Sequence, residues 1–255
     1  MSVELKSTAE IGYMRDAGRI VREILVELQK AVAPGISTLE LDRIADDLTY
    51  KKGAKPVFKG YRGFPASLCT SLNHEVVHGI PNKKRVLREG DLMKLDFGVV
   101  YRGYVGDSAV TVPVGKVSDE ALRLIAATRE SLQKGIAAIR EGNRVSDIGA
   151  AVQGYVEPLG YSVVRKFVGH GVGRALHEDP KVPNYDFTRE PNENLTNVRL
   201  RPGMVLAVEP MVNAGAPDVE VLADGWTAIT ADGKLSAHFE HTIALTDQGT
   251  EVLTA

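Results

Sequence analysis

The segment Leu87–Asp96 reads LREGDLMKLD, and it recurs without a gap as LRPGMVLAVE at Leu200–Glu209. Each copy has the pattern of a turn followed by a buried strand, and each ends in a carboxylate. Internal repetition of this kind indicates two copies of one supersecondary unit. The sequence therefore predicts a duplicated fold in which corresponding strand ends, and with them Asp96 and Glu209, lie near a shared axis.

A second repeated segment contributes another pair of acids. Gly106–Val112 (GDSAVTV) aligns with Phe239–Leu245 (FEHTIAL), which places Asp107 over Glu240. Ionised carboxylates about 4 Å apart repel one another by roughly 4 kcal/mol per pair at an effective dielectric constant of about 20. Two divalent cations would neutralise four such acids, and shared oxygen ligands favour a metal pair about 3.5–4 Å apart. The repeat therefore predicts a dinuclear metal site rather than four exposed strand-end acids.

The first two acids flank a short turn. If this turn centres on residues 102 and 103, Gly98 lies opposite Asp107 and the side chain of Asp96 shares the face of Asp107. A shift of one residue in the pairing would place the two acids on opposite faces of the sheet. The sequence allows the two carboxylates to converge but does not require it.

Length and composition exclude several classes of protein. The 255 residues carry 31 Lys plus Arg against 33 Asp plus Glu, and a net charge of −2 gives no basic field for nucleic acid. One cysteine excludes an internal disulfide framework. No signal peptide precedes the first helix, and no apolar run approaches the roughly 20 residues that span a bilayer. We expect a cytoplasmic protein with one domain over residues 1–255, built from halves of approximately 1–117 and 118–255.

Both halves begin with two amphipathic helices. Pro34-Gly35 stops the first helix, and Ser37 with Glu40 forms a capping box for the second, which follows Ser37. The other predicted helices are Thr8–Ala33, Ala121–Arg140 and Val145–Leu159. The predicted strands are Leu68–Leu72, Val76–Gly79, Asp91–Val99, Tyr104–Pro113, Val163–Val168, Met204–Glu209, Trp226–Thr230 and Ala237–Leu245. This order predicts an α+β fold with helices on one face of an antiparallel sheet.

One histidine is a candidate fifth metal ligand. His170 lies in the glycine-rich segment Gly169–Arg174, directly after a predicted strand. Flanking glycines let the backbone approach an ion, and one imidazole would complete a set of oxygen ligands. The alternative of a phosphate-binding loop is disfavoured because the dinucleotide fingerprint has a different spacing and opens a helix.

Two further histidines begin the matching tetrapeptides HGIP and HEDP. His78 and His177 therefore occupy related positions, each just before a turn, where an imidazole near neutral pH can bind a substrate carbonyl or amide nitrogen. The segment His74–His78 also matches the H-E-x-x-H zinc pattern, which requires a helix. We interpret this segment as a strand, in which the two histidines lie roughly 13 Å apart.

Three other residues are candidates for a pocket. Cys69 is interpreted as a small apolar pocket or core residue, because nothing near it in sequence would lower the pKa of its thiol. Leu176 and Trp226 fit either the core or a substrate pocket, and the sequence leaves both open. The segment Pro183–Asn197, rich in Pro, Asn and Glu, predicts an exposed loop without a metal ligand.

Eight motifs together are highly specific. They are Tyr61-Arg62-Gly63-Phe64-Pro65, Ser71-Leu72-Asn73 through His78-Gly79-Ile80-Pro81, Leu95-Asp96-Phe97-Gly98, Gly106-Asp107, Gly169-His170-Gly171-Val172-Gly173-Arg174, His177-Glu178, Val208-Glu209-Pro210-Met211 and Phe239-Glu240-His241-Thr242. With them the chain resembles the type I methionine aminopeptidases over nearly its whole length. Two positions depart from the family pattern: Leu176 replaces an aromatic residue that many relatives carry, and the loop over residues 183–197 is longer than in compact bacterial forms.

The resemblance implies the duplicated pita-bread fold, with two divalent metal ions (Co, Mn, Fe or Zn). The metal ligands that it implies are Asp96, Asp107, His170, Glu209 and Glu240. It also implies that His78 and His177 contact the substrate around the scissile bond. The residues that it assigns to the methionine pocket are Tyr61, Phe64, Cys69, Leu176 and Trp226.

The activity implied by the resemblance is hydrolytic removal of the initiator methionine from nascent proteins. Glu209 would carry the proton, His177 would stabilise the tetrahedral oxyanion and His78 would bond the scissile amide. The expected partner is the N-terminal methionine of a nascent peptide, close to the ribosome. We expect a monomer without direct contact to nucleic acid or membrane.

Two other functions stay open at this point. A Xaa-Pro aminopeptidase or prolidase shares the fold and the five ligands, but typically carries an extra amino-terminal domain for which this chain has no room. A metal-free binding module on the same scaffold, contacting nascent chains or RNA, usually loses ligands, whereas this chain keeps all five.

Overall fold

Serine caps set the starts of the first helices. The structure, a computed structural model, describes residues 3–189 and 193–255. Helix α1 spans Thr8–Ala31 and α2 spans Thr38–Lys51, and Ser7 and Ser37 form capping boxes with the glutamates three residues later. These boxes satisfy N–H groups that a helix start leaves free. The next two helices, α3 and α4, span Asp119–Ala137 and Val145–Val156.

The helix ends differ from the prediction. The predicted ends at Ala33, Arg140 and Leu159 are wrong, and the helices end at Ala31, Ala137 and Val156. Pro34 disfavours helical backbone before it, and Pro158, which has no N–H, lies in a separate turn of 3₁₀ helix at Glu157–Leu159. Helix α3 starts two residues before the predicted Ala121, because Ser118 caps it there.

The strands are short except for one long hairpin. In chain order, β1 to β15 are Lys55–Pro56, Leu68–Leu72, Glu75–Val77, Leu92–Tyr101, Tyr104–Pro113, Ser162–Val163, Gly169–Gly171, Glu178–Val182, Val205–Val208, Met211–Asn213, Val219–Val221, Ala228–Thr230, Ser236–His238, His241–Thr246 and Gly249–Val252. The prediction did not include β1, β7, β8, β10, β11 and β15. Most of these are two- or three-residue strands, too short for a periodic pattern.

Several predicted strands are wrong in extent. Those predicted over Val76–Gly79 and Trp226–Thr230 are Glu75–Val77 and Ala228–Thr230, so His78 and Trp226 lie outside them. The prediction over Val163–Val168 survives only as the end of β6, because the chain bends at residues 165–167 to pass from one sheet to another. The prediction over Ala237–Leu245 is divided into β13 and β14 at Phe239 and Glu240. There too, the chain leaves one sheet and enters another, which hydrophobic alternation along the sequence does not reveal.

The hairpin of β4 and β5 has the expected register. Gly98 pairs with Asp107, and Asp96 pairs with Ala109. The two acids therefore lie on one face of the sheet, as the two-residue turn predicts. Strands β1 and β2 complete this sheet on the other edge of β4.

A main-chain bridge joins this sheet to a second, five-stranded one. The second sheet has the order β15-β14-β9-β7-β8. The N–H of Glu240 donates to the carbonyl of Ala109 at 2.9 Å, and the N–H of Ala109 donates back at 3.3 Å. The central antiparallel sheet is thus continuous across the middle of the molecule. Asp96, Asp107 and His170 lie on its strands β4, β5 and β7, and Glu209 and Glu240 lie next to β9 and β14.

Helices cover the sheet and bury its apolar face. Helix α1 crosses β5 at Gly18 and Gly106, where a Cβ added to Gly106 would lie 2.7 Å from the nitrogen of Gly18. Glycine at this crossing allows the helix and the strand to approach. Helices α3 and α4 pack on the apolar side of the second sheet, in a core that includes Leu124, Ile148 and Leu206.

A buried lysine and a threonine connect the hairpin to β13. The Nζ atom of Lys94, on β4, donates to the carbonyls of Asn73 and Ser236, both at 2.8 Å. The hydroxyl of Thr111, on β5, donates to the carbonyl of His238 at 2.7 Å and accepts from its N–H at 2.9 Å. The main chain of β13 is therefore held at both ends by side chains of the hairpin.

The loop predicted to be exposed is partly buried. Within Pro183–Asn197, the residues Pro183, Asn184, Tyr185 and Phe187 are buried, and residues 190–192 lie outside the described residues. Tyr185 and Phe187 belong to the core under α4, and the amide of Asn184 donates to the carbonyl of Glu209 at 3.0 Å. The composition of the segment predicted exposure to solvent, but its aromatic residues pack into the core. Across the described residues, no helix is long and apolar enough to span a membrane.

Candidate metal centre and adjoining pocket

The five predicted metal ligands line one cavity. Asp96 lies on β4, Asp107 on β5 and His170 on β7, while Glu209 follows β9 and Glu240 precedes β14. All five border a cavity of about 280 Å³. Ligand atoms of Asp107, His170 and Glu240 lie within 4.8 Å of one another, close enough to hold one cation. The structure thus brings the repeated acids and the histidine to a single place.

Burial dominates the electrostatics of the four acids. It raises the pKa of Asp107 to about 7, and it raises those of Asp96, Glu209 and Glu240 well above their usual range. Repulsion from neighbouring carboxylates raises the pKa of Asp96, Glu209 and Glu240 further. Two carboxylate oxygens, Oδ1 of Asp107 and Oε1 of Glu240, are buried without a hydrogen-bond partner. Hard oxygen ligands with unsatisfied lone pairs fit a divalent cation.

The imidazole of His170 is neutral and turns one nitrogen toward the cavity. Burial lowers the pKa of its imidazole to about 3, with a further contribution from His177. Its Nδ1 lies 2.8 Å from the carbonyl of Gly171, so Nδ1 carries the proton and donates to that oxygen. The lone pair of Nε2 then faces the cavity, 3.5 Å from Oε1 of Glu209. A histidine fixed in this way by its second nitrogen is the usual arrangement of a metal ligand.

The predicted substrate-binding histidines border the same cavity. Burial lowers the pKa of His78 and of His177 to about 4, so both rings are neutral at pH 7. His78 has a positive φ of 62°, and its ring meets that of Phe167 edge-on at 5.3 Å. Nδ1 of His177 lies 2.7 Å from the hydroxyl of Tyr61. If that hydroxyl donates, Nε2 of His177 carries the proton and can donate to a substrate.

The H-E-x-x-H match has no helix. Glu75–Val77 form strand β3, and His74 is exposed on a turn before it. The carboxylate of Glu75 accepts from the N–H of Leu72 at 2.6 Å and pairs with Arg85. The strand interpreted over His74–His78 is present only at Glu75–Val77, and without a helix the spacing of His74 and His78 does not form the H-E-x-x-H zinc arrangement.

An apolar wall completes the cavity. Strand β12 pairs with β3, which places Trp226 beside His78, and the ring of Trp226 meets that of Phe64 edge-on at 5.1 Å. Leu176 and Cys69 are buried in the same wall. The sequence did not distinguish a core position from a pocket position for Trp226 and Leu176. Both residues belong to a hydrophobic cluster and also line the cavity. Burial, then the charges of Asp96 and Asp107, raises the pKa of the Cys69 thiol, so Cys69 is protonated.

Sequence reasoning missed four residues at this site. Phe58, Arg62 and Phe167 line the cavity, and the imidazole of His238 lies behind Glu209. Arg62 stands inside the motif at residues 61–65, which could have suggested it, whereas His238 has no such signal because the chain changes sheets between it and Glu240. An open groove of about 740 Å³ leads outward from His170 and His177 past Arg62.

Comparison with known proteins identifies the family. The model of metallopeptidase family M24 matches residues 12–247. The chain belongs to metallopeptidase family M24. An M24 chain of this kind uses divalent metal, and the carboxylate and imidazole cluster described above fits that chemistry.

This M24 metallopeptidase has relatives of nearly the same length. It is 54% identical over 249 residues to methionine aminopeptidase 1 of Bacillus subtilis, with 98% of each chain covered. The crystal structure of a methionine aminopeptidase from Thermotoga maritima matches with a TM-score of 0.94 at 45% identity, covering 99% of each chain. That of Rickettsia prowazekii matches with a TM-score of 0.94 at 39% identity, covering 100% of both. The predicted pita-bread fold is confirmed.

Proposed function

We propose that this chain is a methionyl aminopeptidase that hydrolyses the N-terminal initiator methionine from nascent proteins at a dinuclear metal site. The observation that carries this proposal is the position of the five ligands at the floor of an apolar cavity of about 280 Å³. Unsatisfied oxygens of Asp107 and Glu240 at that floor call for cations. The relatives that bear the name methionine aminopeptidase, at up to 54% identity, support the same activity.

The metal ligands in this proposal are Asp96, Asp107, His170, Glu209 and Glu240. Co, Mn, Fe and Zn all suit four carboxylates and one imidazole. Two such divalent ions would lower the pKa of a bound water and polarise the scissile carbonyl. The side chains of the protein then have three tasks: to hold the peptide, to move a proton and to stabilise the oxyanion.

Glu209 is the proton carrier. One of its carboxylate oxygens, Oε1, faces His170 at 3.5 Å. From this position the carboxylate of Glu209 would take a proton from the attacking water and return it to the leaving amine.

The two neutral histidines hold the scissile bond. With Tyr61 donating to Nδ1 of His177, the Nε2–H of His177 donates to the oxyanion that forms on the carbonyl. His78 donates to the scissile amide from the opposite wall, where the ring of Phe167 restrains it. Both groups are preorganised by aromatic partners, which limits the reorganisation needed in the transition state.

The side chain of the substrate methionine binds against the apolar wall of the cavity. The residues of this pocket are Tyr61, Phe64, Cys69, Leu176 and Trp226. A thioether makes favourable contacts with aromatic ring edges, and Phe64 and Trp226 offer both edges and faces. The protonated Cys69 adds a small, polarisable surface next to Asp96.

The same proposal covers the organisation and location of the chain. Residues 1–255 form one catalytic domain, with halves of approximately 1–117 and 118–255. The protein acts as a monomer in the cytoplasm, close to the ribosome, on the N-terminal methionine of emerging peptides. The main-chain bridge between Ala109 and Glu240 supports a single domain, because it ties the halves together within the central sheet.

A peptide panel tests the proposal. The chain is stripped with a chelator, reloaded with each of Mn, Fe, Co and Zn, and assayed for release of the first residue from Met-Ala-Ser and from Ala-Pro-Ala. We expect metal-dependent release of methionine from Met-Ala-Ser and little cleavage of Ala-Pro-Ala. Preference for Ala-Pro-Ala would assign a prolidase-like activity instead, and absence of metal binding near neutral pH would favour a binding module.

A further inference from the structure

A buried histidine faces the proposed proton carrier from the side away from His170. His238 is only 1% exposed, and neither of its ring nitrogens has a hydrogen-bond partner. Its Nε2 lies 3.8 Å from Oε2 of Glu209. A neutral imidazole always carries one N–H, and burying that donor unpaired is unfavourable. The donor therefore needs an acceptor, and Glu209 offers one.

The fold prevents the ring from moving away. Thr111 holds the main chain of His238 through its N–H and its carbonyl, at 2.9 Å and 2.7 Å. The carbonyl of Ser236, two residues before His238, accepts a hydrogen bond from Nζ of Lys94 at 2.8 Å. Strand β13 also pairs with β10, with Met211 opposite His238. These ties come from the hairpin and from β10, so the imidazole stands at a fixed place beside the carboxylate.

The two histidines that flank Glu209 differ in what they can donate. His170 uses its Nδ1–H on the carbonyl of Gly171, which leaves a lone pair on the Nε2 that faces Oε1 of Glu209. The Nδ1 of His238 has no hydrogen-bond partner, so the ring proton can be carried by Nε2. His170 therefore presents an acceptor to Glu209, whereas His238 can present a donor.

We propose that His238 is a positioning residue for Glu209: its Nε2–H donates to Oε2 and fixes the rotation of the carboxylate that carries the proton. A movement of less than about 1 Å brings the two atoms to the usual N–H···O distance of about 2.7–3.2 Å. Oriented by this bond, Glu209 keeps Oε1 toward His170 and the cavity. Partners of this kind commonly orient metal-ligating carboxylates. This inference rests on the proposed function, because it assigns a purpose to Glu209.

Three variants separate positioning from packing. His238→Gln keeps an N–H donor on a side chain of similar reach, whereas His238→Leu removes the donor but stays apolar and fills the space. His241→Gln is the matched control, because the Nδ1 of His241 lies 2.9 Å from the hydroxyl of Thr254 and does not face Glu209. Each is measured as the metal-loaded enzyme for kcat and KM on Met-Ala-Ser, by calorimetric titration of Mn²⁺ into the stripped protein, and by thermal unfolding.

The expected result is a loss in kcat that depends on the donor. His238→Leu should lower kcat by about 10- to 100-fold with KM within about twofold, and should weaken Mn²⁺ binding in the same range. His238→Gln should recover kcat to within about threefold of the wild type. Equal kcat for the wild type and His238→Leu, or equal losses in the Leu and Gln variants, would overturn the proposal. A lower melting temperature of His238→Leu with unchanged kcat and Mn²⁺ affinity would also overturn it.

Nitrogen-15 spectra of the histidines give a readout that does not require activity. In the metal-loaded wild type, the signal that disappears in His238→Gln should belong to an Nε2–H tautomer, and a signal from an Nδ1–H tautomer would contradict the proposal. If the wild type fails to release methionine, the proposed function fails, while the tautomer and the Mn²⁺ affinities still decide the contact with Glu209.

Discussion

The hairpin of β4 and β5 and the region from β9 to β14 deliver the same chemistry by different routes. In the hairpin, Asp96 and Asp107 stand eleven residues apart on two fully paired strands joined by a two-residue turn. In the second region, Glu209 and Glu240 stand 31 residues apart, and strands β10 to β13 lie between them. Both routes end at one cavity. The two repeated segments thus place their carboxylates at one cavity although the chain between the two acids differs in length and structure.

The imidazoles do not follow the repeat in the same way. Of the four histidines that line or adjoin the cavity, His170, His177 and His238 come from the second half, and only His78 comes from the first. Trp226 and His238 both belong to the segment inserted between β9 and β14. The hairpin therefore contributes two carboxylates to the cavity lining, while the inserted segment adds an aromatic ring to the lining and an imidazole beside Glu209.

Glu209→Gln should have the largest effect. The amide can still occupy the site, but it cannot accept and return a proton, so kcat on Met-Ala-Ser should fall by about 10²- to 10⁴-fold. Glu220→Gln, on β11 of the same inserted region, is the control and should keep the wild-type rate. Undiminished release of methionine by Glu209→Gln would contradict the role of Glu209 as proton carrier. The two regions would then differ only in how the chain connects their acids.

His78→Ala and His177→Ala test whether both halves of the chain contact the scissile bond. Each should lower kcat by about 10²- to 10³-fold, the usual loss for one donor to a developing charge, while thermal unfolding stays close to that of the wild type. His74→Ala, exposed before β3, should have no effect. A rate loss confined to His177→Ala would mean that the first half contributes carboxylates alone.

Asp107→Asn should change how the stability of the stripped protein depends on pH. Burial raises the pKa of Asp107 to about 7 in the folded protein, above the roughly 3.9 of an unfolded chain. The protonated carboxyl therefore favours the folded state at low pH, and this contribution is lost as pH rises from about 4 to about 7. Asn does not ionise, so the variant should gain stability over the wild type across that window, by up to about 4 kcal/mol.

Denaturant unfolding at several pH values, in the presence of chelator, measures this difference. Exposed Asp247→Asn is the control and should show no trend relative to the wild type. Glu240→Gln should behave like Asp107→Asn, because burial raises the pKa of Glu240 as well. A flat difference for Asp107→Asn, with a trend for Glu240→Gln, would mean that the hairpin acid is better solvated than its partner in the second region.

Lys94→Met should weaken the hairpin as an anchor. The change leaves the carbonyls of Asn73 and Ser236 without their buried donor, which should cost about 2–3 kcal/mol and lower the melting temperature by about 4–12 °C. Lys134→Met, on the exposed side of α3, should stay within about 0.5 kcal/mol. An unchanged melting temperature for Lys94→Met would show that β13 does not depend on the hairpin.

Local rules predicted the parts of the molecule whose causes are local. The capping box at Ser37 gave the start of α2, and the two-residue turn gave the register that places Gly98 opposite Asp107. The repeat brought Asp96 and Glu209 to one site because aligned strand ends meet at the centre of a duplicated fold. In each case the sequence contains both the pattern and its geometric consequence.

The remaining features depend on contacts between distant segments. The break at Glu240 exists because the chain changes sheets there, and the burial of Tyr185 depends on α4 above it. His238 became visible as a neighbour of Glu209 only once Thr111, more than a hundred residues earlier, had fixed its strand. Periodicity carries no information about such partners, so these features required three-dimensional coordinates.

The bridge across the central sheet affects how the protein acquires its ions. At this bridge Glu240 exchanges main-chain hydrogen bonds with Ala109, and the carbonyl of Asp107 accepts from the hydroxyl of Thr242 at 2.7 Å. These ties hold the proposed ligands of both halves in one sheet, so we expect little chain entropy to be lost when a cation binds. The affinity of such a rigid site for a cation depends on the softness and charge of its ligands. Competition among different ions is therefore decided by coordination chemistry, because no loop has to become ordered first.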